Sequence, residues 1–150
     1  MITENTPQIP YVLFAAQHLR GYDVTVFLEL VLHELGFSRR GYGRCYLKEA
    51  VQIYCNDYKQ LLVDGIYQQV AGIVGPGCTK YQVEVVIRRA VHSAWKRRDA
   101  AVWALFFPGC EKAWTKAPSN SQFIAALATL VELWKTYRAK EVTSCEANIL

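Results

Sequence analysis

Apolar residues recur every three or four positions along most of the chain, and this spacing places them on one side of an α-helix. The recurrence begins near Tyr11 and continues, with breaks at glycine, proline and polar clusters, to about residue 139. The pattern predicts an all-α fold, a bundle of six to seven helices. We expect residues 1–22 to be an N-terminal extension with one short helix, residues 23–139 to be the main domain, and residues 140–150 to be a frayed C-terminal tail.

Residues 64–97 have the pattern of two helices joined by a tight turn. Asp64 is positioned to cap the first helix, whose apolar stripe consists of Ile66, Val70, Ile73 and Val74. Gly75-Pro76-Gly77 should end this helix, because glycine tolerates a left-handed backbone and proline cannot continue a helix. Thr79 and Gln82 have the spacing of a capping box that starts the second helix. This order of elements is typical of a helix-turn-helix.

The second predicted helix has one apolar face and one basic face. Its inner face, at 100° per residue, consists of Val83, Ile87, Ala90, Val91, Ala94 and Trp95. Its outer face consists of Tyr81, Val85, Arg88, Arg89, His92 and Lys96. The segment from Thr79 to Arg98 holds six Lys or Arg residues and one acidic residue, Glu84. Because a solvated helix face usually mixes both signs of charge, this bias favours nucleic-acid binding, although paired amphipathic helices also occur in many proteins that bind none.

Short sequence matches also indicate a family. They are HELG at 33–36, YLKEAV at 46–51, ND at 56–57, VE at 83–84, IRRAV at 87–91, AW at 94–95 and PSNSQFIA at 118–125. On these residues, the run from His33 to about Tyr137 resembles the C-terminal DNA-binding effector domain of the stage-zero sporulation protein A family, the master sporulation response regulator. The resemblance implies a six-helix, all-α domain with its recognition helix in the major groove. It also implies binding to short promoter boxes, often as tandem copies on one DNA.

The chain departs from the family pattern in two places. The family's N-terminal phosphoacceptor receiver domain is not visible in residues 1–32, so we expect a stand-alone effector domain without a phosphorylation switch. Val85 occupies a position in the recognition helix that is normally basic in the family, which bears on base preference rather than on phosphate binding. Lys116 matches a family lysine position close to the DNA.

Three further segments are predicted to supply core residues. The helix from about Tyr46 to Leu62 should bury Leu47, Ala50, Val51, Tyr54, Tyr58, Leu61 and Leu62. The short helix that Asp99 begins should bury Val102, Trp103, Leu105, Phe106 and Phe107. Ser119 and Gln122 form a second capping box, and the long helix after them has a stripe of Phe123, Ile124, Leu127, Leu130, Val131 and Trp134. A glycine loop with Arg39, Arg40 and Arg44 is by default solvated, but beside a basic helix it could also contact the DNA backbone.

Composition narrows the class of protein. The net charge of +4 permits association with polyanions without requiring it, so the clustering of charge carries the interpretation. No apolar run approaches a membrane span and the first residues lack a signal-peptide pattern, which together predict a cytoplasmic protein. The five cysteines form no CxxC motif and are interpreted as free thiols without a metal. No GxxxxGK or GxSxG motif occurs, so neither an enzyme nor a cofactor is predicted.

These observations lead to one main hypothesis and one alternative. The main hypothesis is a sequence-specific, double-stranded DNA-binding regulator of the sporulation type, with residues 79–96 in the major groove. The predicted base-reading residues are Tyr81, Gln82, Glu84 and Val85, with Arg88 and Arg89 reading guanine or holding phosphate. The predicted phosphate contacts are Lys80, His92, Lys96, Arg97 and Lys116. The alternative is a protein-interaction module that kept the fold and modulates a full-length regulator without reading DNA sequence.

Overall fold

The computed structural model describes residues 9–18, 23–56 and 63–149, with side chains described up to residue 139 except at residue 63. The chain in these ranges is helical, and the helices are α1 (Pro10–His18), α2 (Val24–Glu34), α3 (Gly43–Asn56), α4 (Val63–Val74), α5 (Lys80–Arg97), α6 (Ala100–Phe106), α7 (Cys110–Ala113) and α8 (Asn120–Ile149). The predicted all-α fold is confirmed. Eight helices rather than six or seven are present in the described residues, because the four-residue α7 lies where we predicted a loop.

Side chains cap the first turns of four of these helices, α2, α5, α6 and α8. The Asp23 carboxylate accepts a hydrogen bond from the Val26 amide at the start of α2. At the start of α5, the Gln82 amide donates to Thr79 Oγ1 at 3.2 Å and the Thr79 amide donates to Gln82 Oε1 at 2.9 Å. The same reciprocal pair joins Ser119 to the glutamine three residues later, at the start of α8. Both predicted capping boxes are therefore confirmed, and they fix where α5 and α8 begin.

The long helix α8 forms the centre of the core and packs against α1, α2, α3 and α5. All six residues of its predicted stripe are buried. On one side, the Trp134 indole stacks on the Phe27 ring of α2 with 4.8 Å between ring centroids. Because α8 contacts α5 as well as the N-terminal helices, it joins the second helix of the predicted helix-turn-helix to the rest of the core.

An aromatic cluster supports the C-terminal end of α5. Trp103 of α6 is fully buried, its indole Nε1 donates to the Leu35 carbonyl at 3.0 Å, and its ring lies edge-on to Trp95 of α5 at 5.6 Å. Trp114 and Phe123 complete the cluster against Trp103. Trp114 packs against the core, and the last turns of α5 rest on a large apolar surface.

Several predicted burial assignments are wrong. Ile73 and Val74 at the end of α4 are 60% and 47% exposed, because the last turn of α4 projects beyond the helices on which Ile66 and Val70 pack. Leu105 is 58% exposed, since the short α6 packs through one side only. Asp64 does not cap α4 but lies inside its first turn, because the helix already begins at residue 63.

Two helix ends also differ from the predicted bounds. The helix α3 begins at Gly43 rather than near Tyr46, so the glycine loop is shorter than expected. The backbone of α8 continues to Ile149, so the predicted frayed tail is helical; no glycine or proline interrupts residues 120–149. The predicted burial of Tyr58, Leu61 and Leu62 concerns residues outside the described ranges. Even the longest described helix lacks the apolar length that a bilayer crossing requires.

Candidate nucleic-acid interface

The helices α4 and α5 form the predicted helix-turn-helix. Between them, Gly75 and Gly77 adopt φ values of 116° and 89°, a left-handed region that glycine enters without strain. Lys80 at the start of α5 donates to Asp64 Oδ2 of α4 at 3.0 Å, and this bond raises the pKa of Lys80. The two helices are thus joined by a turn of defined geometry and by an ion pair between the first turn of α4 and the first residue of α5.

The two faces of α5 lie as predicted. Val83, Ile87, Val91 and Ala94 are fully buried, whereas Ala90 and Trp95 are partly buried beside them. The outward side is uncovered in the described part of the chain. Tyr81 is 70% exposed, Val85 is half-buried, and the remaining outward residues are exposed: Arg88, Arg89, His92 and Lys96.

Three polar side chains in the first two turns of α5, those of Lys80, Gln82 and Glu84, already have partners within the protein. Lys80 pairs with Asp64, and Gln82 accepts a hydrogen bond from the backbone in the capping box. Glu84 pairs with Arg88 one turn later, with 3.0 Å between Oε1 and Nη1. Base edges are normally reached from these turns. Gln82 and Glu84, which are predicted to read bases, are therefore held in defined positions before DNA binds.

A buried amide that the sequence analysis missed connects α8 to this region. Asn120 Nδ2 donates to the Tyr67 hydroxyl of α4 at 3.0 Å and to the Glu84 carbonyl of α5 at 3.1 Å. Burial raises the pKa of Tyr67, so its hydroxyl stays protonated. The Ser119 capping box predicted that Asn120 opens α8, but no sequence pattern indicates that its side chain joins three helices.

A cleft of about 510 Å³ opens between α5 and the segment that links α7 to α8. Its lining contains three basic side chains, Arg88 and His92 of α5 and Lys116 of the linking segment. It also contains Tyr67 and one acidic residue, Glu84, which pairs with Arg88. The cleft also includes Ser119 and Gln122 at the start of α8, where the helix dipole adds partial positive charge. We name it the Lys116 cleft. The structure therefore brings Lys116, distant in sequence, beside two of the predicted α5 residues.

A second cleft of about 320 Å³ lies on the other side of α5, against the segment that connects α2 to α3. The arginines in its lining are Arg40, Arg44, Arg89 and Arg97. We name it the Arg40 cleft. The α5 residues of the two clefts follow two separate rows along the helix, so the clefts lie on opposite sides and the outward face lies between them.

Two of the basic residues considered for DNA contact have structural roles. Arg44 is 6% exposed; it pairs with Glu29 at 2.8 Å and donates to the Glu29 and Phe37 carbonyls, so it is not free to reach DNA. Arg44 was assigned to the loop because the sequence does not show that α3 begins at Gly43. Arg97 donates to the Ser93 carbonyl and, through Nη2, to the Gly36 carbonyl at 3.2 Å.

Comparison with known protein families agrees with this geometry. Residues 28–131 match the family described as sporulation initiation factor Spo0A C terminal. The match covers well over half of the chain, and the chain belongs to this family. The predicted family resemblance is thus confirmed. Members of the family are DNA-binding domains of sporulation transcription factors, not enzymes.

Proposed function

We propose that this member of the Spo0A C-terminal family binds double-stranded DNA sequence-specifically, as a transcription regulator of sporulation with α5 in the major groove. The observation that carries the proposal is the uncovered outward face of α5, which lies between two clefts lined by cationic side chains. A major groove about 12 Å wide admits one helix and has a phosphate backbone on each side. The proposal also implies a cytoplasmic location, because the protein would lie with the DNA that it regulates.

Base reading is assigned to the first half of α5. Tyr81 is the most exposed side chain there, and its hydroxyl both donates and accepts hydrogen bonds. Val85 is apolar and suits contact with a thymine methyl group rather than with a hydrogen-bonding edge. Arg88, which pairs with Glu84 in the free protein, can offer its guanidinium fork to guanine, and Gln82 supports the helix start. Arg89 is considered separately below.

Phosphate binding is assigned to the cations around this face. His92 and Lys116 share the Lys116 cleft with Arg88, and Lys96 is exposed on the outward face two turns beyond Arg88. Lys80 and Arg97, at the two ends of α5, add positive charge although each also has a partner within the protein. Such contacts position a protein on DNA and make the affinity depend on salt, without selecting a sequence.

A specific observation also favours the second candidate, a module that modulates a full-length regulator without reading DNA. The polar groups at the start of α5 are engaged within the protein, and Val85 stands where the family has a basic residue. Both features reduce the number of groups free to hydrogen-bond to bases. Such a module would bind any duplex with similar affinity, or none.

Selection from random duplexes, followed by fluorescence anisotropy, separates the two candidates. For the main proposal we expect an enriched site that is bound roughly 10³-fold or more tightly than a scrambled duplex of the same composition. Four to six phosphate contacts predict a slope of about −4 to −5 in log K against log salt. Absence of an enriched site, with equal binding of both duplexes, would support the non-reading module. No binding to any duplex at low salt would contradict DNA binding altogether.

A further inference from the structure

The Arg40 cleft is held open by contacts at both of its ends. At one end, Gly43 at the start of α3 lies directly against Ala90 of α5, so close that a Cβ atom at residue 43 would overlap the Ala90 methyl group. At the other end, Arg97 of α5 donates to the Gly36 carbonyl. Arg44 anchors the floor through Glu29 and Phe37. The connecting segment is therefore fastened to α5, and the cleft between them has a defined shape.

Among the arginines that line this cleft, Arg44 alone has an ion-pair partner in the described part of the chain. The lining of the cleft contains four arginines and no acidic residue. Arg40 and Arg89 are exposed, and neither has an ion-pair partner among the residues that the structure describes. The nearby carboxylate of Glu29 already pairs with Arg44 and Lys48. Burial alone would raise the pKa of Glu29. The charges of these two cations and of Arg39 have the larger, opposite effect, so the pKa of Glu29 lies below its ordinary value. A cleft with free guanidinium groups and no carboxylate is suited to an anion.

The neighbouring arginines of α5 point to different clefts. Arg88 lines the Lys116 cleft, whereas Arg89 lines the Arg40 cleft, because consecutive helical residues are rotated by 100°. A helix that enters the major groove has one DNA strand on each side. The two clefts lie on the two sides of α5 along which these strands would run.

We propose that the Arg40 cleft binds a backbone phosphate of the DNA strand opposite to the strand at the Lys116 cleft. In this assignment Arg40 and Arg89 grip the phosphate and Arg89 does not read a base. The inference rests on the proposed DNA binding and extends it to residue 40, which lies outside the helix-turn-helix. Arg39 is its natural control, because it is the adjacent arginine, lies outside the cleft lining, and its charge acts on Glu29.

The test compares Arg40→Ala, Arg89→Ala and the control Arg39→Ala by anisotropy at several salt concentrations, on the selected and the scrambled duplex. Loss of one phosphate contact should reduce the salt slope by about 1 and weaken both duplexes by the same factor. We expect this for Arg40→Ala and Arg89→Ala, and an unchanged slope for Arg39→Ala. If wild type selects a site but Arg40→Ala keeps the wild-type slope, the inference is overturned while the proposed function stands. If wild type binds no duplex, both are overturned.

Neutral methylphosphonate substitutions in the selected duplex test the strand assignment. In wild type, neutralising the phosphate in the Arg40 cleft should weaken binding, and in Arg40→Ala that single position should lose its effect. The corresponding position for Lys116→Ala should lie on the other strand. In each variant, one phosphate position should no longer respond to neutralisation. If the position found with Arg40→Ala and the position found with Lys116→Ala lie on the same strand, the assignment is wrong.

The close approach of Gly43 to Ala90 provides a second test that leaves every arginine in place. Gly43→Ala should displace the connecting segment and reduce the salt slope as Arg40→Ala does, and the double variant Gly43→Ala/Ala90→Gly should restore it. Circular dichroism confirms that each variant is helical. A full wild-type slope for Gly43→Ala would contradict the role of this contact in shaping the cleft.

Discussion

The two halves of α5 are held in place by different kinds of contact. The first half, residues 80–88, is fixed by polar contacts: the capping box, the Lys80–Asp64 pair and the hydrogen bond from Asn120 to the Glu84 carbonyl. The second half, residues 89–97, rests on the aromatic cluster around Trp103. Outward from the second half, Arg89, His92 and Lys96 have no ion-pair partner among the described residues.

This difference supports a division of the proposed DNA contacts between the two halves of α5. Side chains that are already held lose less conformational entropy on binding, so the first half is suited to a small number of well-oriented base contacts. Free, long cationic side chains adapt to phosphates at varied positions, so the second half is suited to affinity without sequence preference. The three predictions below test the two supports and then the two functions.

The largest effect is expected from the aromatic support of the second half. Trp103→Ala removes a fully buried indole and leaves the Leu35 carbonyl without its partner, so the free energy of unfolding should fall by about 3–5 kcal/mol. Leu105→Ala, in the same helix but exposed, should change it by less than about 0.5 kcal/mol. Urea denaturation followed by circular dichroism measures both. Similar values for the two variants would show that the cluster does not support α5.

What the sequence predicted correctly has a local or periodic cause. The inner faces of α5 and α8 follow from helical spacing, and the two capping boxes follow from residues three apart. Both signals depend only on neighbours along one helix. For this reason the all-α fold and the buried and exposed faces of α5 could be predicted.

What could not be predicted depends on residues that are distant in the sequence. The spacing of Ile73 matches that of Val70, but only the neighbouring helices decide that one is exposed and the other buried. Arg40 and Arg44 are alike as loop arginines, yet one is exposed and the other is bound to Glu29. Asn120 and the Arg40 cleft likewise depend on three-dimensional contacts across helices. No local pattern encodes such contacts.

A smaller effect is expected from the polar support of the first half. Asn120→Ala leaves the Tyr67 hydroxyl and the Glu84 carbonyl without a donor in a buried site, which should cost about 1–3 kcal/mol of stability. Tyr67→Phe removes only one of these bonds and should cost less, about 0.5–1.5 kcal/mol. The same urea titrations give both values. Equal costs would mean that the bond to Glu84 contributes nothing, and the first half of α5 would then depend on its capping box and the Lys80 pair.

The smallest effect is expected in the discrimination between DNA sequences. Arg88→Ala should weaken binding to the selected duplex more than to the scrambled duplex, by about 1 kcal/mol, near the low end of the range for a bidentate base contact. Lys96→Ala, on the same outward face two turns later, should weaken both duplexes equally. Anisotropy titrations of the two variants on the two duplexes at one salt concentration make the comparison.

The Glu84–Arg88 pair does not prevent this role for Arg88. Both side chains are partly exposed, and an exposed pair of this spacing contributes only about 0.3–0.5 kcal/mol. A guanine contact is worth more than that, so Arg88 can exchange one partner for the other when DNA is bound. Equal losses on both duplexes for Arg88→Ala would instead assign it to phosphate, as a partner of Lys116 in their shared cleft. The first half of α5 would then hold no charged base-reading group besides Glu84, and the non-reading module would become the better account of the protein.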